Sequence, residues 1–271
     1  MVGCNKQKPI DFIQNTGNQS PYTLTAKGVS LSTHSKGFYE YLPEGYTTSS
    51  TNTKYPLIIF FHGGLEIGND STELYKILTH GPLKHVSNGS FPTSFKANGK
   101  EYKFIIIAPQ FTTSDNSYSN EIDNIVEYAK QNYKVDASRI YLTGLSFGAG
   151  QAWNYVGKNS SYARKIAAIV PTGSYLHEAK DEFKINNGKA QVIASSNLPI
   201  WSTHNDRDDI CPLAWEVNAI NLVKNSNPSI RPQPKLTVFN AWGHEGWTQT
   251  YDPGFKENNM NIYEWMLQYQ R

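Results

Sequence analysis

A serine between two glycines is the first residue that could do chemistry. Residues 141–150 read Tyr-Leu-Thr-Gly-Leu-Ser-Phe-Gly-Ala-Gly, with Ser146 at the centre. The apolar residues before Ser146 predict a short strand, and Ala149 to Val156 predict a helix after it. A Gly-x-Ser-x-Gly turn between a strand and a helix exposes the serine hydroxyl for nucleophilic attack. The alternative interpretation is an ordinary serine in a glycine-rich turn.

A nucleophilic serine needs a base and a group that orients the base. The loop at residues 203–212 carries three aspartates: Asp206, Asp208 and Asp209. His244 lies in a glycine-flanked loop after the predicted strand at 235–239. An imidazole can take the serine proton, and a carboxylate can hold the imidazole in the required tautomer. Aspartates clustered in a loop are usually solvated turn residues, so at least two of the three are expected to have no role.

A pair of glycines follows the apolar run Tyr55 to Phe61. Gly63 and Gly64 would let a backbone N–H point into a pocket, as the stabilisation of an oxyanion requires. His62, just before them, is predicted to hold this loop by hydrogen bonds. It has no potential metal ligand near it at the usual spacing.

The elements that must position these residues alternate along the chain. Apolar runs predict buried strands, and patterns of helical period lie between them, so we expect a mostly parallel, doubly wound α/β sheet. An antiparallel hairpin from about Tyr22 to Pro43 is expected at one edge. We predict a flexible segment at residues 1–20 and one catalytic domain at residues 21–271. The other predicted strands are 103–108, 139–143, 165–170 and 198–203, and the other predicted helices are 121–133, 212–224 and 258–269.

Composition excludes several classes of partner. Among 271 residues 18% are charged, the net charge is +2, and no dense basic cluster occurs, so nucleic acid and anionic membrane surfaces are not indicated. No apolar run approaches the length that spans a bilayer, so no membrane contact by the catalytic domain is expected. The two cysteines, Cys4 and Cys211, lie far apart in unlike contexts, and no disulfide is predicted.

The N-terminal residues Val2-Gly3-Cys4-Asn5 resemble the end of a bacterial lipoprotein signal. This predicts a protein of the bacterial cell envelope, or a secreted one, lipid-anchored through Cys4 with its signal peptide absent from this chain. The alternative is a lone cysteine in a flexible tail of a cytoplasmic protein.

Together these motifs resemble the esterase branch of the α/β-hydrolase superfamily. That branch contains bacterial feruloyl and acetyl-xylan esterases, polyhydroxybutyrate depolymerase-like proteins and phospholipase/carboxylesterases. The serine, acid and histidine come in the order of that superfamily. The resemblance covers about residues 37 to 269 and is carried by the segments 37–46, 61–64, 108–110, 136–148, 204–212 and 243–247.

The resemblance also assigns individual residues. The family pattern His-Gly-x-x-Asp-x-x-Val-Pro falls on residues 204–212 and implies Asp208 as the acid, with Asn205 and Cys211 departing from the pattern. The implied oxyanion donors are the backbone N–H groups of Gly64 and Phe147. Leu65 occupies the position of the family's second glycine, so this loop departs in shape.

The implied function is a serine carboxylesterase that works through an acyl-enzyme, with Ser146, Asp208 and His244 as catalytic residues and no metal or organic cofactor. Candidate substrate-binding residues are Trp247 and Gln110. The polar stretch at 177–190 is too short and hydrophilic for a large lid, which favours short-chain esters, or acetyl and feruloyl groups on plant polysaccharide. A prolyl-oligopeptidase-like peptidase and a non-catalytic binding relative are the alternatives, and the oligomeric state is left open.

Overall fold

Eight of the strands form one twisted sheet. The computed structural model describes residues 22–271. The sheet order is β1-β2-β6-β3-β7-β8-β9-β10, and β4 pairs with β5 in a separate antiparallel ribbon. The strands are β1 Thr23–Lys27, β2 Ser35–Leu42, β3 Tyr55–Phe61, β4 Phe95–Ala97, β5 Lys100–Tyr102, β6 Ile105–Phe111, β7 Val135–Leu145, β8 Ala168–Thr172, β9 Trp201–Arg207 and β10 Lys235–Trp242.

Strand direction follows the predicted fold class. β1 pairs with β2 and β2 with β6 in antiparallel register, whereas the pairs from β6 through β10 are parallel. The prediction of a mostly parallel sheet with an antiparallel N-terminal edge is therefore confirmed. The predicted flexible segment 1–20, with Cys4, lies outside the described residues.

Helices cover both faces of the sheet. Two 3-10 helices, Gly64–Glu66 and Ser71–Thr79, follow β3. The α-helices are α1 Gly81–Ser87, α2 Ser119–Asn132, α3 Phe147–Lys158, α4 Ser160–Ala163, α5 Asn187–Ser195, α6 Leu213–Ser226, α7 Trp247–Tyr251 and α8 Ile262–Met266. Within residues 22–271, no helix combines the length and the apolarity needed to cross a bilayer.

Strand β3 shows why the sheet has two cores. Successive side chains of a strand point to opposite faces. Leu57 and Ile59 accordingly join the core that packs under α2, α3, α5 and α6, while Ile58 and Phe60 join the core beside α1 and α8. All seven β3 residues are buried. A continuous apolar run is what a central strand covered on both faces requires.

The structure corrects several element boundaries. The predicted strand 139–143 is the longer β7, and the predicted strand 198–203 begins later and continues through polar residues to Arg207. The predicted C-terminal helix 258–269 is reduced to α8. The β4–β5 ribbon and α1 were not predicted. Over 171–197 the described chain forms turns and α5 rather than a large lid, and Phe183 and Ile185 anchor the turns in the core.

Candidate active site

Ser146 lies on a strained turn between β7 and α3. Its φ of 52° and ψ of −118° are rare for a residue with a side chain. Two hydrogen bonds fix the turn: Ser146 N–H donates to Thr172 O at 3.0 Å, and Tyr175 N–H donates to Ser146 O at 3.0 Å. The side chain is half-buried. These hydrogen bonds therefore hold Ser146 in a backbone conformation that a serine rarely adopts, and this conformation fixes the position of the hydroxyl.

The glycines around Ser146 are required by close packing of backbone. A Cβ on Gly148 would lie 2.2 Å from Phe61 O, and a Cβ on Gly144 would lie 2.6 Å from Gly148 C. Both approaches are shorter than any van der Waals contact. The start of α3 can sit this close to the end of β3 only because neither position has a side chain.

His244 reaches Ser146 from the loop after β10. The Ser146 Oγ–H donates to His244 Nε2 at 2.8 Å, and His244 Nδ1–H donates to Asp208 Oδ2 at 2.7 Å. Gly243, with φ of 88°, makes the turn that presents the imidazole. Asn205 Nδ2 donates to Gly243 O at 2.8 Å and ties this loop to β9. Asn205, a departure from the family pattern, thus supports the histidine loop.

Asp208 follows directly after β9 and its carboxylate is almost fully buried. Its Oδ1 accepts from the backbone N–H groups of Ile210 at 3.0 Å and Cys211 at 2.8 Å. Burial raises the pKa of this carboxyl, but hydrogen bonds from His204, His244 and the two N–H groups outweigh burial and hold the pKa well below its usual range. Asp208 is therefore a carboxylate throughout the neutral pH range.

The other two aspartates of this loop face solvent. Asp206 Oδ1 accepts from Ala241 N–H at 2.9 Å and pairs with Arg207, and Asp209 is exposed. Neither aspartate forms a hydrogen bond with His244. Of the three candidates, the structure brings only Asp208 to the imidazole.

Both implied oxyanion donors begin a helical turn. Phe147 is the first residue of α3 and Gly64 the first residue of the 3-10 helix Gly64–Glu66. The N–H groups at the start of a helix have no partner within it and are free to bind an anion. Space beside Gly64 is open, since a Cβ there would meet nothing within 4 Å. The Leu65 side chain, 94% exposed, points away from the core.

The two proposed substrate-binding residues are not on an open surface. Gln110 is buried, and its amide donates to Glu66 O at 2.8 Å and Glu73 O at 3.0 Å, so it holds the loop after β3. Trp247 is buried at the start of α7, with its ring edge-on to His244 at 5.0 Å between centroids. In the structure, Gln110 holds the loop after β3 by hydrogen bonds, and the Trp247 ring packs against the His244 imidazole. His62 holds its loop as predicted, because Nε2 accepts from Phe111 N–H at 2.8 Å.

Sequence reasoning missed two buried polar residues beside Asp208. His204 on β9 and Glu216 on α6 are completely buried. Burial lowers the pKa of His204, but the carboxylates of Asp208 and Glu216, at 3.3 Å and 3.7 Å from its ring nitrogens, outweigh burial and raise the pKa to about 10. His204 was placed in a loop as part of the family pattern, and no sequence signal connected it to Glu216, twelve residues later on the next helix.

Comparison with known proteins finds a relative in sequence and several solved structures of similar fold. No protein-family model matches the chain. Acetylxylan esterase A of Emericella nidulans is 30% identical over 128 residues, which span 41% of this chain and 42% of that protein. Among solved structures, a thermostable esterase aligns with a TM-score of 0.61 at 18% identity, over 87% of this chain and 59% of the other. A feruloyl esterase module from Clostridium thermocellum, complexed with sinapinate, aligns with a TM-score of 0.54 at 16% identity, over 85% of both chains.

These similarities define the fold. The chain has the α/β-hydrolase fold, and the predicted resemblance to esterases of that superfamily is confirmed. The match to the acetylxylan esterase covers less than half of either chain. The activity of that relative therefore suggests substrates to test on this chain and does not establish its activity.

Proposed function

We propose that this protein is a serine carboxylic ester hydrolase that works through an acyl-enzyme. The observation that carries the proposal is the continuous hydrogen-bond chain from Ser146 through His244 to Asp208, which starts at a strained strand-to-helix turn. The relatives described above are esterases, and this supports the same reaction class. No step of the mechanism calls for a metal ion or an organic cofactor.

His244 acts first as a base. As the Ser146 oxygen attacks the ester carbonyl, Nε2 takes the hydroxyl proton, and Asp208 stabilises the imidazolium that forms. The carbonyl oxygen becomes an anion that the N–H groups of Phe147 and Gly64 bind, each such donor contributing about 10²–10³ in rate. His244 then gives the proton to the departing alcohol, which leaves the acyl group on Ser146. Water, deprotonated by His244, attacks this acyl-enzyme and releases the acid.

The segment 171–197 forms turns and α5 rather than a large apolar lid, and this supports soluble esters over lipid as substrates. Leu65, Ile210 and Trp242 are strongly exposed, and they follow or end the strands that deliver Gly64, Asp208 and His244. Exposed apolar and aromatic side chains next to catalytic residues in the sequence can contact a short acyl chain, an aromatic acid or the flat face of a sugar. We therefore propose short-chain esters, or acetyl and feruloyl esters of plant polysaccharide, as the substrates.

A fluorophosphonate probe tests the nucleophile. We expect labelling of the wild type and its loss in Ser146→Ala, with ester turnover falling by about 10⁴ or more. Ser174→Ala is the matched control, because Ser174 lies on the neighbouring strand-end loop with a buried hydroxyl that has no hydrogen-bond partner among residues 22–271. This control should be labelled normally. Labelling of Ser146→Ala, or amide cleavage faster than ester cleavage, would contradict the proposal.

A panel of p-nitrophenyl esters tests the substrate class. Activity should be greatest from acetate to butyrate and fall steeply by octanoate, with methyl ferulate and acetylated xylan as the natural-type substrates. Preference for long-chain triglyceride, with activation at an oil–water interface, would reject the soluble-ester proposal.

We also propose attachment to the bacterial cell envelope through Cys4. The residues Val2-Gly3-Cys4, which resemble the end of a bacterial lipoprotein signal, support it. Expression of the full natural gene in cells fed labelled palmitate should give a labelled protein, with the label lost in Cys4→Ser and kept in the buried-thiol control Cys211→Ser. An unlabelled wild type found in the cytoplasm would refute the attachment.

A further inference from the structure

A second histidine and a second carboxylate lie behind Asp208, and the mechanism above uses neither. His204 Nε2 is 3.3 Å from Asp208 Oδ2 and donates to Cys211 O at 2.8 Å. On the other side of the ring, Nδ1 is 3.7 Å from Glu216 Oε2. The polar chain that begins at Ser146 therefore does not end at Asp208. It continues through His204 to Glu216.

Every nitrogen of His204 faces an oxygen. A neutral imidazole carries a lone pair on one of its two nitrogens, and here that lone pair would point either at Glu216 Oε2 or at Cys211 O. The imidazolium form presents an N–H on both sides and avoids the repulsion. The surroundings of the ring thus favour a buried cation between two carboxylates.

Glu216 accepts two hydrogen bonds on the oxygen that faces away from His204. Trp153 Nε1–H donates to Glu216 Oε1 at 3.0 Å, and the Ser202 hydroxyl donates to the same oxygen. A buried carboxylate without a cation near it would be strongly destabilising. The His204 ring, with Nδ1 at 3.7 Å from Glu216 Oε2, is placed to supply that cation when it is protonated.

We propose that His204 and Glu216 form a positioning pair that fixes the Asp208 carboxylate and sets the charge that it presents to His244. The proposal rests on the proposed ester hydrolase function. Neither residue touches substrate, so both act only through Asp208. Asp208 Oδ2 receives His244 on one side and His204 on the other, while the N–H groups of Ile210 and Cys211 hold Oδ1.

The expected effect on pH dependence has a definite sign. The groups that face His204 are the carboxylates of Asp208 and Glu216 and the backbone carbonyl of Cys211. The groups that face His244 are the Asp208 carboxylate, the Ser146 hydroxyl and the Cys211 thiol, which is 3.9 Å from Nε2. A cation at position 204 offsets part of the negative charge that His244 feels. Removing that cation makes His244 hold its proton more tightly. The acid limb of kcat/KM must then move to higher pH.

The variant His204→Gln tests this effect with p-nitrophenyl acetate. We expect kcat to fall about tenfold on the pH plateau, since the acid loses a fixed position, with KM changed less than twofold. The acid limb should move up by roughly half to one pH unit. Glu40→Gln is the control: it replaces another buried ionisable side chain by glutamine, but on β2, far along the sheet from β9. An acid limb that overlays the wild type, or an equal shift in Glu40→Gln, would overturn the proposal.

A measurement on the wild type removes any dependence on how a variant folds. In ¹⁵N-histidine NMR, assigned through bonds from the backbone, both ring nitrogens of His204 should carry protons at pH 8. A neutral ring at that pH would overturn the proposal. Glu216→Gln, which keeps an oxygen for Trp153 and Ser202, should lower the pH at which His204 loses its proton; an unchanged titration would remove Glu216 from the pair. These spectra do not depend on turnover, so their failure is distinct from a failure of the hydrolase assignment.

Discussion

Replacing Asp208 by asparagine should prevent His244 from acting as a base, because the NH₂ group of the new side chain would face the imidazole. In Asp208→Asn the oxygen Oδ1 can still accept from Ile210 and Cys211 N–H, but the NH₂ group then faces His244 Nδ1. Two donors cannot share a hydrogen bond. Nδ1 must become the acceptor, which moves the proton to Nε2. His244 then presents an N–H to Ser146 and cannot take the serine proton.

The size of this effect follows from the alternative amide orientation. Turning the amide so that its oxygen meets His244 sacrifices both backbone hydrogen bonds, at about 1–1.5 kcal/mol each, and leaves the N–H groups unpartnered beside an NH₂. The working tautomer is thereby reduced to about one part in 10² or less. Loss of the negative charge removes further stabilisation of the imidazolium. Together we expect turnover to fall by about 10⁴.

The assay compares three single variants with p-nitrophenyl acetate. Asp206→Asn and Asp209→Asn change solvent-facing carboxylates of the same loop and should cost less than about tenfold. Circular dichroism would verify that all three are folded. If Asp206→Asn alone were crippled, or if Asp208→Asn kept more than about a hundredth of the activity, the assignment of the acid to Asp208 would be refuted.

Three further experiments test the packing and the charge of the site. Gly148→Ala should lower the free energy of unfolding by about 3 kcal/mol, because its Cβ would lie 2.2 Å from a backbone oxygen, whereas Gly64→Ala, with open space beside it, should be neutral in urea unfolding. Asn205→Ala leaves the buried Gly243 carbonyl without its amide donor and should cost about 1–2 kcal/mol in the same measurement; no loss would show that the bond does not hold the loop. The raised pKa of His204, about 10, stabilises the fold fully below about pH 6.5 and progressively less as pH rises to about 10. The loss of unfolding free energy over this range is on the order of 5 kcal/mol, and His204→Gln should lack it. Parallel curves of stability against pH for wild type and variant would contradict this prediction.

The residues that could be predicted are those whose role is local. Gly144, Ser146 and Gly148 belong to a short segment whose spacing alone implies a tight strand-to-helix turn, and the structure has it. Strand β3 was readable because an unbroken apolar run requires burial on both faces. The resemblance to known esterases assigned Asp208, which no spacing rule within the loop could separate from Asp206.

The residues that were missed depend on contacts between distant segments. His204 and Asn205 look like loop residues, yet pairing of β9 with β10, where Asn205 lies opposite Phe239, extends the strand through them. Gln110 is polar at a strand end, which suggested a ligand contact. Its amide instead satisfies two carbonyls of a loop that lies tens of residues earlier in the chain. Hydrogen-bond partners chosen by tertiary packing leave no periodic signal in the sequence.

The position of β10 at the edge of the sheet has a consequence for how the molecule would lose activity. Among residues 22–271, β10 pairs only with β9, and the loop at its end carries His244. Edge elements open at a lower free energy than the central strands, so fluctuations that detach β10 separate base from nucleophile while β3 and β7 stay paired. In the proposed hydrolase, mild urea should abolish turnover before circular dichroism changes. Loss of ester turnover would thus indicate that β10 has detached from β9, at a urea concentration below the one that unfolds the whole molecule.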